Sequence, residues 1–124
     1  MTRDDMLRHA VHWIDAWNRR DVDAVLSVFR DDARFVSPKA AQMVGYAELA
    51  NKRELEAYWR EAMRRITSLK FTLDHVTCDV EAREMVVFCT AELNGQSTRA
   101  CELMRFDTNG RQIYGEAMYG AIST

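Results

Sequence analysis

The apolar residues of this 124-residue chain change their spacing once, and that change constrains the fold more than any motif does. In the first half they recur every three or four residues. Met6, Ala10, Trp13, Ile14 and Trp17 make one stripe; Leu55, Tyr58, Trp59, Ala62, Met63 and Ile66 make another. Such spacing lines one face of an α-helix. From Lys70 onward the spacing falls to two. Phe71, Leu73 and His75 alternate with Lys70, Thr72 and Asp74, and residues 84–93 are dense in β-favouring side chains. Alternation of this kind marks strands. Helices followed by strands predict an α+β domain, with three N-terminal helices packed on a curved antiparallel β-sheet.

Local signals place the element ends. Thr2, with Asp5 three residues on, predicts a capped helix over residues 3–18. Asp21 caps a short second helix carrying Val25, Leu26 and Phe29. Ala33, Phe35 and Ser37 share one side of a short strand that Pro38 stops. Residues 39–50 read as an irregular connection. Asn51, with Glu54, opens the third helix. Asn94-Gly95 is a tight-turn signal after strand 84–93. Asp107-Thr108-Asn109-Gly110 joins two further strands, 97–106 and 111–119. No repeat or linker divides the chain, so residues 1–124 form one domain.

Charge and cysteine content narrow the function. Lys and Arg total 17 against 19 Asp and Glu, a net charge of -2, which excludes a generally basic nucleic-acid surface. Arg19-Arg20 and Arg64-Arg65 stand at helix ends, where cations suit the helix dipole. There is no phosphate loop or dinucleotide fingerprint, so no cofactor is expected. Cys78, Cys89 and Cys101 are odd in number and lack a CxxC spacing, which argues against a disulfide framework or zinc site and points to a reducing compartment. No signal-peptide pattern and no apolar run of about 18 residues is present; a cytoplasmic location away from membranes is expected. His9 and His12 lie three residues apart on a helix, but no third ligand accompanies them, so no metal is expected.

Residues 13–29, continuing through Asp31-Asp32-Ala33-Arg34-Phe35-Val36-Ser37-Pro38, resemble the NTF2-like superfamily in its SnoaL-like and ketosteroid-isomerase-like branch. Residues 55–59 and 110–120 fit as well. The resemblance spans nearly the whole chain and implies a cone with a deep apolar pocket between helices and sheet. It also implies a homodimer through the outer sheet face. In the isomerase pattern, Glu102 matches the aspartic acid that helps hold the developing oxyanion. Ser37 stands where the general-base aspartate would be, and Trp13 where the oxyanion tyrosine would be. The rest of that machinery is therefore missing, and this fold hosts unrelated activities.

Period-two arithmetic then sorts the strand residues. Val87, Cys89, Ala91 and Leu93 form one row of residues 84–93; Val86, Phe88, Thr90 and Glu92 form the other. Both rows are apolar enough that both faces should be covered, one by helices and the other by a second copy, with local shielding of Val86 and Phe88 by a loop as the alternative. Ile113, Gly115, Ala117 and Tyr119 share a row that the resemblance places on the inner wall. Gly115 and Ala117 leave space there, opposite Trp13, Trp17, Tyr58, Trp59 and Met63 on the helical wall. Large rings facing small residues can enclose an apolar molecule, although aromatic stripes also serve as ordinary core.

Glu102 shares an inward row with Met104 and Phe106. Burial would raise its pKa and make it an acid near neutral pH; an ion pair with an arginine or an outward register is the alternative. His75 follows Leu73 on its row and is the candidate partner to relay a proton, with a sheet-edge histidine as the plainer reading. These residues fit a cyclase, isomerase or hydrolase acting on an apolar organic molecule by general acid–base chemistry. They also fit a non-catalytic ligand-binding domain or a dimerisation module. The sequence leaves open which of these it is.

Overall fold

The computed structural model describes residues 1–123. In chain order the elements are α1 (Arg3–Asn18), α2 (Val22–Leu26), β1 (Phe29–Val36), α3 (Pro38–Val44), β2 (Glu48–Leu49), α4 (Lys52–Arg65), β3 (Leu69–Asp79), β4 (Glu84–Leu93), β5 (Gln96–Phe106) and β6 (Gln112–Ser123). The strands form one six-stranded sheet in the order β2-β1-β6-β5-β4-β3. Every neighbouring pair is antiparallel except β1 and β6, which run parallel.

The helix starts follow their caps. The Asp5 N–H donates to Thr2 Oγ1 at 3.1 Å and the Thr2 N–H donates to Asp5 Oδ2 at 2.8 Å, so two otherwise orphaned donors are satisfied reciprocally. Asn51 Oδ1 accepts from the Glu54 N–H at 3.0 Å; Glu54 reaches back to the Ala50 N–H at 2.7 Å instead of to Asn51. The far end of α4 is held by Arg20, whose guanidinium donates to the Met63 and Ile66 carbonyls at 2.7 and 2.6 Å. Arg20 thus works as a helix stop, satisfying carbonyls that α4 cannot.

Residues 39–50 are not an irregular connection. Pro38 ends β1 but also occupies the first turn of α3, where its missing N–H costs nothing. Ser37 caps that helix, and Gly45 closes it in the left-handed conformation, φ 91°. Among the described residues there are consequently four helices, and Phe29, expected on α2, begins β1 instead.

The core lies between the helices and the inner sheet face. Met85, Val87, Cys89 and Ala91 of β4 are buried, as are Met104 and Phe106 of β5. Against them lie Met6, Ala10, Trp13 and Trp17 of α1 and Leu55, Tyr58 and Trp59 of α4. The Trp59 ring meets Trp17, Phe29 and Phe35 with centroids at 5.2, 5.5 and 5.3 Å, all edge-on. Such pairs are worth about 0.5–1.5 kcal/mol each beyond their area burial, so Trp59 fixes where α4 sits on the sheet.

Bulges decide which side chains reach the interior. The register of β3 against β4 shifts between Leu73 and His75: Leu73 pairs with Cys89, but His75 pairs with Phe88. A second shift on β6 places Gln112 opposite Phe106, after which Gly115, Ala117 and Tyr119 face Met104, Glu102 and Ala100. A shift of one residue turns a side chain to the opposite face. Gln112 is thereby fully buried, while Ile113 is only partly so.

Candidate functional site

A hollow of about 80 Å³ lies between α1, α3, α4 and the concave sheet face. Trp13, Trp17, Trp59, Phe35 and Phe71 supply aromatic walls. Met63, Cys89 and Ala117 complete much of the apolar lining. The polar lining is confined to Ser37, Lys39, Tyr58, Glu102 and Tyr119.

Glu102 enters from β5, held by pairing with Val87 on one side and Ala117 on the other. It is 5% exposed, and its Oε2 is buried without a hydrogen-bond partner. No cation offsets this burial, which raises its pKa to about 8. At neutral pH the side chain is therefore a carboxylic acid with a proton to donate.

Three hydroxyls gather near it. Tyr58 OH lies 3.4 Å from Ser37 Oγ, a long contact, and burial together with the nearby Glu102 carboxyl raises the Tyr58 pKa, against a smaller lowering by Ser37. Tyr119 is 36% exposed as a residue, yet its phenol end lies among Ser37, Tyr58 and Glu102. The depth of that oxygen governs its titration, and burial pushes its pKa up. Ser37 Oγ already accepts the Lys39 N–H at 3.2 Å as the α3 cap. An oxygen occupied in this way, with no imidazole beside it and only the protonated Glu102 near it, is no general base.

Lys39 was not legible as a wall residue because its segment read as irregular. Its Nζ stands 4.5 Å from the centroid of the Tyr119 ring, and burial lowers its pKa. Cys89 is a poor nucleophile, since burial pushes its thiol up to about 12.

Of the residues singled out from sequence, Trp13, Trp17, Ser37, Tyr58, Trp59, Met63, Cys89, Glu102, Ala117 and Tyr119 come together around the hollow. Val87 and Met104 are fully buried but do not line it. Gly115 leaves no space for a guest: a Cβ there would come within 2.8 Å of the Phe35 ring, which has taken that space. His75 stands outside. The β3 bulge turns it to the outer face, where it is exposed, stacked on Phe88 at 4.5 Å and within 3.0 Å of Asp74. It cannot relay protons to Glu102 from there.

The other histidines are structural. His9 Nε2 lies 2.9 Å from Gln112 Oε1, and Gln112 Nε2 donates to the Tyr114 carbonyl at 3.1 Å. That second bond fixes which end of the amide faces His9, so Nε2 of His9 is the protonated nitrogen. Burial lowers its pKa to about 4. His12 Nε2 lies 3.0 Å from the Ala24 carbonyl. Among the described residues, no group of three or more His, Cys, Asp or Glu could hold a metal ion, and no helix is long and apolar enough to cross a membrane.

The helices and the curved sheet match a known family. The family model for the SnoaL-like domain matches residues 10–114, and the chain belongs to that family. Its fold is NTF2-like, as solved structures show. A SnoaL-like protein of unknown function from Burkholderia thailandensis E264 is 30% identical, with a TM-score of 0.85, covering 98% of this chain and 99% of the other. An NTF2-like protein of unknown function from Burkholderia pseudomallei K96243 is 22% identical, with a TM-score of 0.80 and coverage of 97% and 92%. A protein assigned as a SnoaL-like polyketide cyclase, from Shewanella denitrificans OS-217, is 12% identical, with a TM-score of 0.74 and coverage of 96% and 92%. None of the curated proteins matches the chain.

Proposed function

We propose that the hollow binds a small oxygen-bearing organic molecule and that Glu102 donates a hydrogen bond to its oxygen. One observation carries this reading: a buried carboxyl with an unpartnered oxygen stands in the wall of an apolar hollow, where burial favours its protonated form. A buried polar atom left unpaired costs roughly 1–3 kcal/mol, a cost that a ligand would offset. In the catalytic form of the reading, Glu102 donates to a ligand carbonyl oxygen and stabilises the negative charge that develops there; removal of an α-proton would need a base, which the described lining does not supply. Tyr58 is the second donor to the same oxygen. Hydrolysis meets the same requirement, a positioned base for water, and neither Ser37 nor His75 supplies one.

Size supports a modest ligand. A dry 150 Å³ cavity takes up benzene, and drug-sized ligands occupy roughly 300–1,000 Å³. At about 80 Å³ the hollow fits a short or branched fragment, and a steroid-sized or polyketide-sized guest requires the Trp and Phe rings to move. The second reading, binding without turnover, draws on a different observation: Glu102 is the only carboxylate in the described lining.

The test is a carboxyl-carbon NMR titration of Glu102. A midpoint near 8 is expected; one at or below about 4.3, the free glutamate value, ends the proposal. If Glu102→Gln then leaves turnover of an identified substrate intact, the catalytic form falls and binding alone remains.

The protein also acts, in this reading, as a homodimer in a reducing compartment such as the cytoplasm. Met118, 41% exposed, extends the partly buried Phe88 and Leu103 on the outer sheet face, an apolar surface suited to a second copy. Sedimentation velocity giving a single 14.4 kDa species at micromolar concentration would refute the dimer.

A further inference from the structure

The polar groups of the hollow are all hydrogen-bond donors or can become so, and one of them carries a charge that no carboxylate among the described residues answers. Lys39 has three N–H donors and no acceptor. Burial is the one cause that moves its pKa, and no carboxylate among the described residues offsets it. The Tyr119 ring, 4.5 Å beneath its Nζ, steadies the ammonium but does not neutralise it. The carboxyl of Glu102, which could have balanced it, has no ion-pair partner and is neutral at pH 7. Tyr58 and Tyr119 add phenolic O–H groups whose raised pKa values keep them protonated. The interior is therefore a weakly positive, donor-rich space between aromatic walls.

We propose that the molecule bound in the hollow is a small organic carboxylate, and that Lys39 selects it by pairing with its negative charge while its apolar body lies among the tryptophan and phenylalanine rings. The selection rests on the reading of Glu102 as a neutral donor, since an ionised Glu102 in the same hollow repels an anion. A cationic guest is disfavoured by Lys39. A neutral guest gains the hydrogen bonds but forgoes the ion pair. Lys39 is placed for this by Ser37, which caps α3 and so sets the direction in which its second residue leaves the helix.

Isobutyrate, isobutyramide and isobutylammonium have similar size and differ in charge. Their dissociation constants are measured by amide and indole NMR shifts on the full chain near pH 6, where Glu102 is protonated. Isobutyrate is expected to bind at least tenfold more tightly than isobutyramide, and isobutylammonium not detectably. Lys39→Met is expected to remove the preference for isobutyrate over isobutyramide, and Lys39→Arg to retain it. Equal binding of isobutyrate and isobutyramide, tighter binding of isobutylammonium, or an unchanged preference in Lys39→Met overturns the selection by Lys39 and leaves the Glu102 reading standing. Binding of none of the three to the folded wild type overturns both.

Discussion

Replacing Glu102 with Gln should change the pH dependence of stability in a calculable way. In the unfolded chain this carboxyl titrates near 4.5, and in the folded protein near 8. Between those values the folded state holds a proton that the unfolded state has lost. Stability therefore falls as pH rises through this window; the penalty is absent below pH 4.5 and complete above pH 8. Each pH unit contributes about 1.4 kcal/mol, so the full effect is roughly 5 kcal/mol, an upper figure because water entry softens it. Domains of this kind are stable by about 5–15 kcal/mol, so the loss is large. Of the ionisable groups around the hollow, Tyr58, Tyr119, Cys89 and Cys101 have raised pKa values and titrate above the window; the Lys39 pKa is lowered by burial, but any slope it adds is common to both proteins. Urea unfolding of wild type and Glu102→Gln between pH 5 and pH 9 isolates the contribution, because the amide adds a constant offset but no slope. The gap between the two curves should widen in favour of the variant up to about pH 8 and level off above it. Parallel curves would show that Glu102 is ionised in the folded protein, and the acid role would go with them.

Other perturbations test the surrounding structure. His9 is buried neutral, with its pKa lowered from 6.5 to about 4, so stability should drop as pH falls through that interval, by roughly 3 kcal/mol in full; a ring titrating near 6.5 by NMR would contradict this. Gly115→Ala should cost about 1–3 kcal/mol in urea unfolding, because the new methyl meets Phe35 at 2.8 Å, and the cost should shrink in a Phe35→Leu background. Ser37→Ala should cost about 1 kcal/mol through loss of the α3 cap, and an unchanged unfolding midpoint would show that the cap contributes nothing.

The parts legible in the sequence were those set by neighbours along the chain. Thr2 with Asp5, Asn51 with Glu54 and Asn94-Gly95 each name their partner within a few residues, and the structure has all three. Glu102 was legible as inward because alternation from Phe106 backward meets no bulge before it. His75 was not, because a single unpaired residue at the Leu73–His75 shift inverts the parity and leaves no compositional trace. The pairing of His9 with Gln112, 103 residues apart, depends on tertiary contact alone. Lys39 was hidden by Pro38, which signals a strand's end and a helix's first turn equally well. Gly115 misled for a related reason: an absent side chain shows where room exists but not which ring, here Phe35, will occupy it.

Asn18, the last residue of α1, has a consequence beyond its helix. Its side chain donates to the Phe71 carbonyl at 2.9 Å and accepts from the Phe71 N–H at 2.7 Å, along the border strand β3. The carboxamide thus imitates one residue of an additional strand. A foreign polypeptide seeking to lengthen the sheet on this flank must first pry off that imitation, so the open margin most exposed to amyloid-like recruitment is guarded by a single amide.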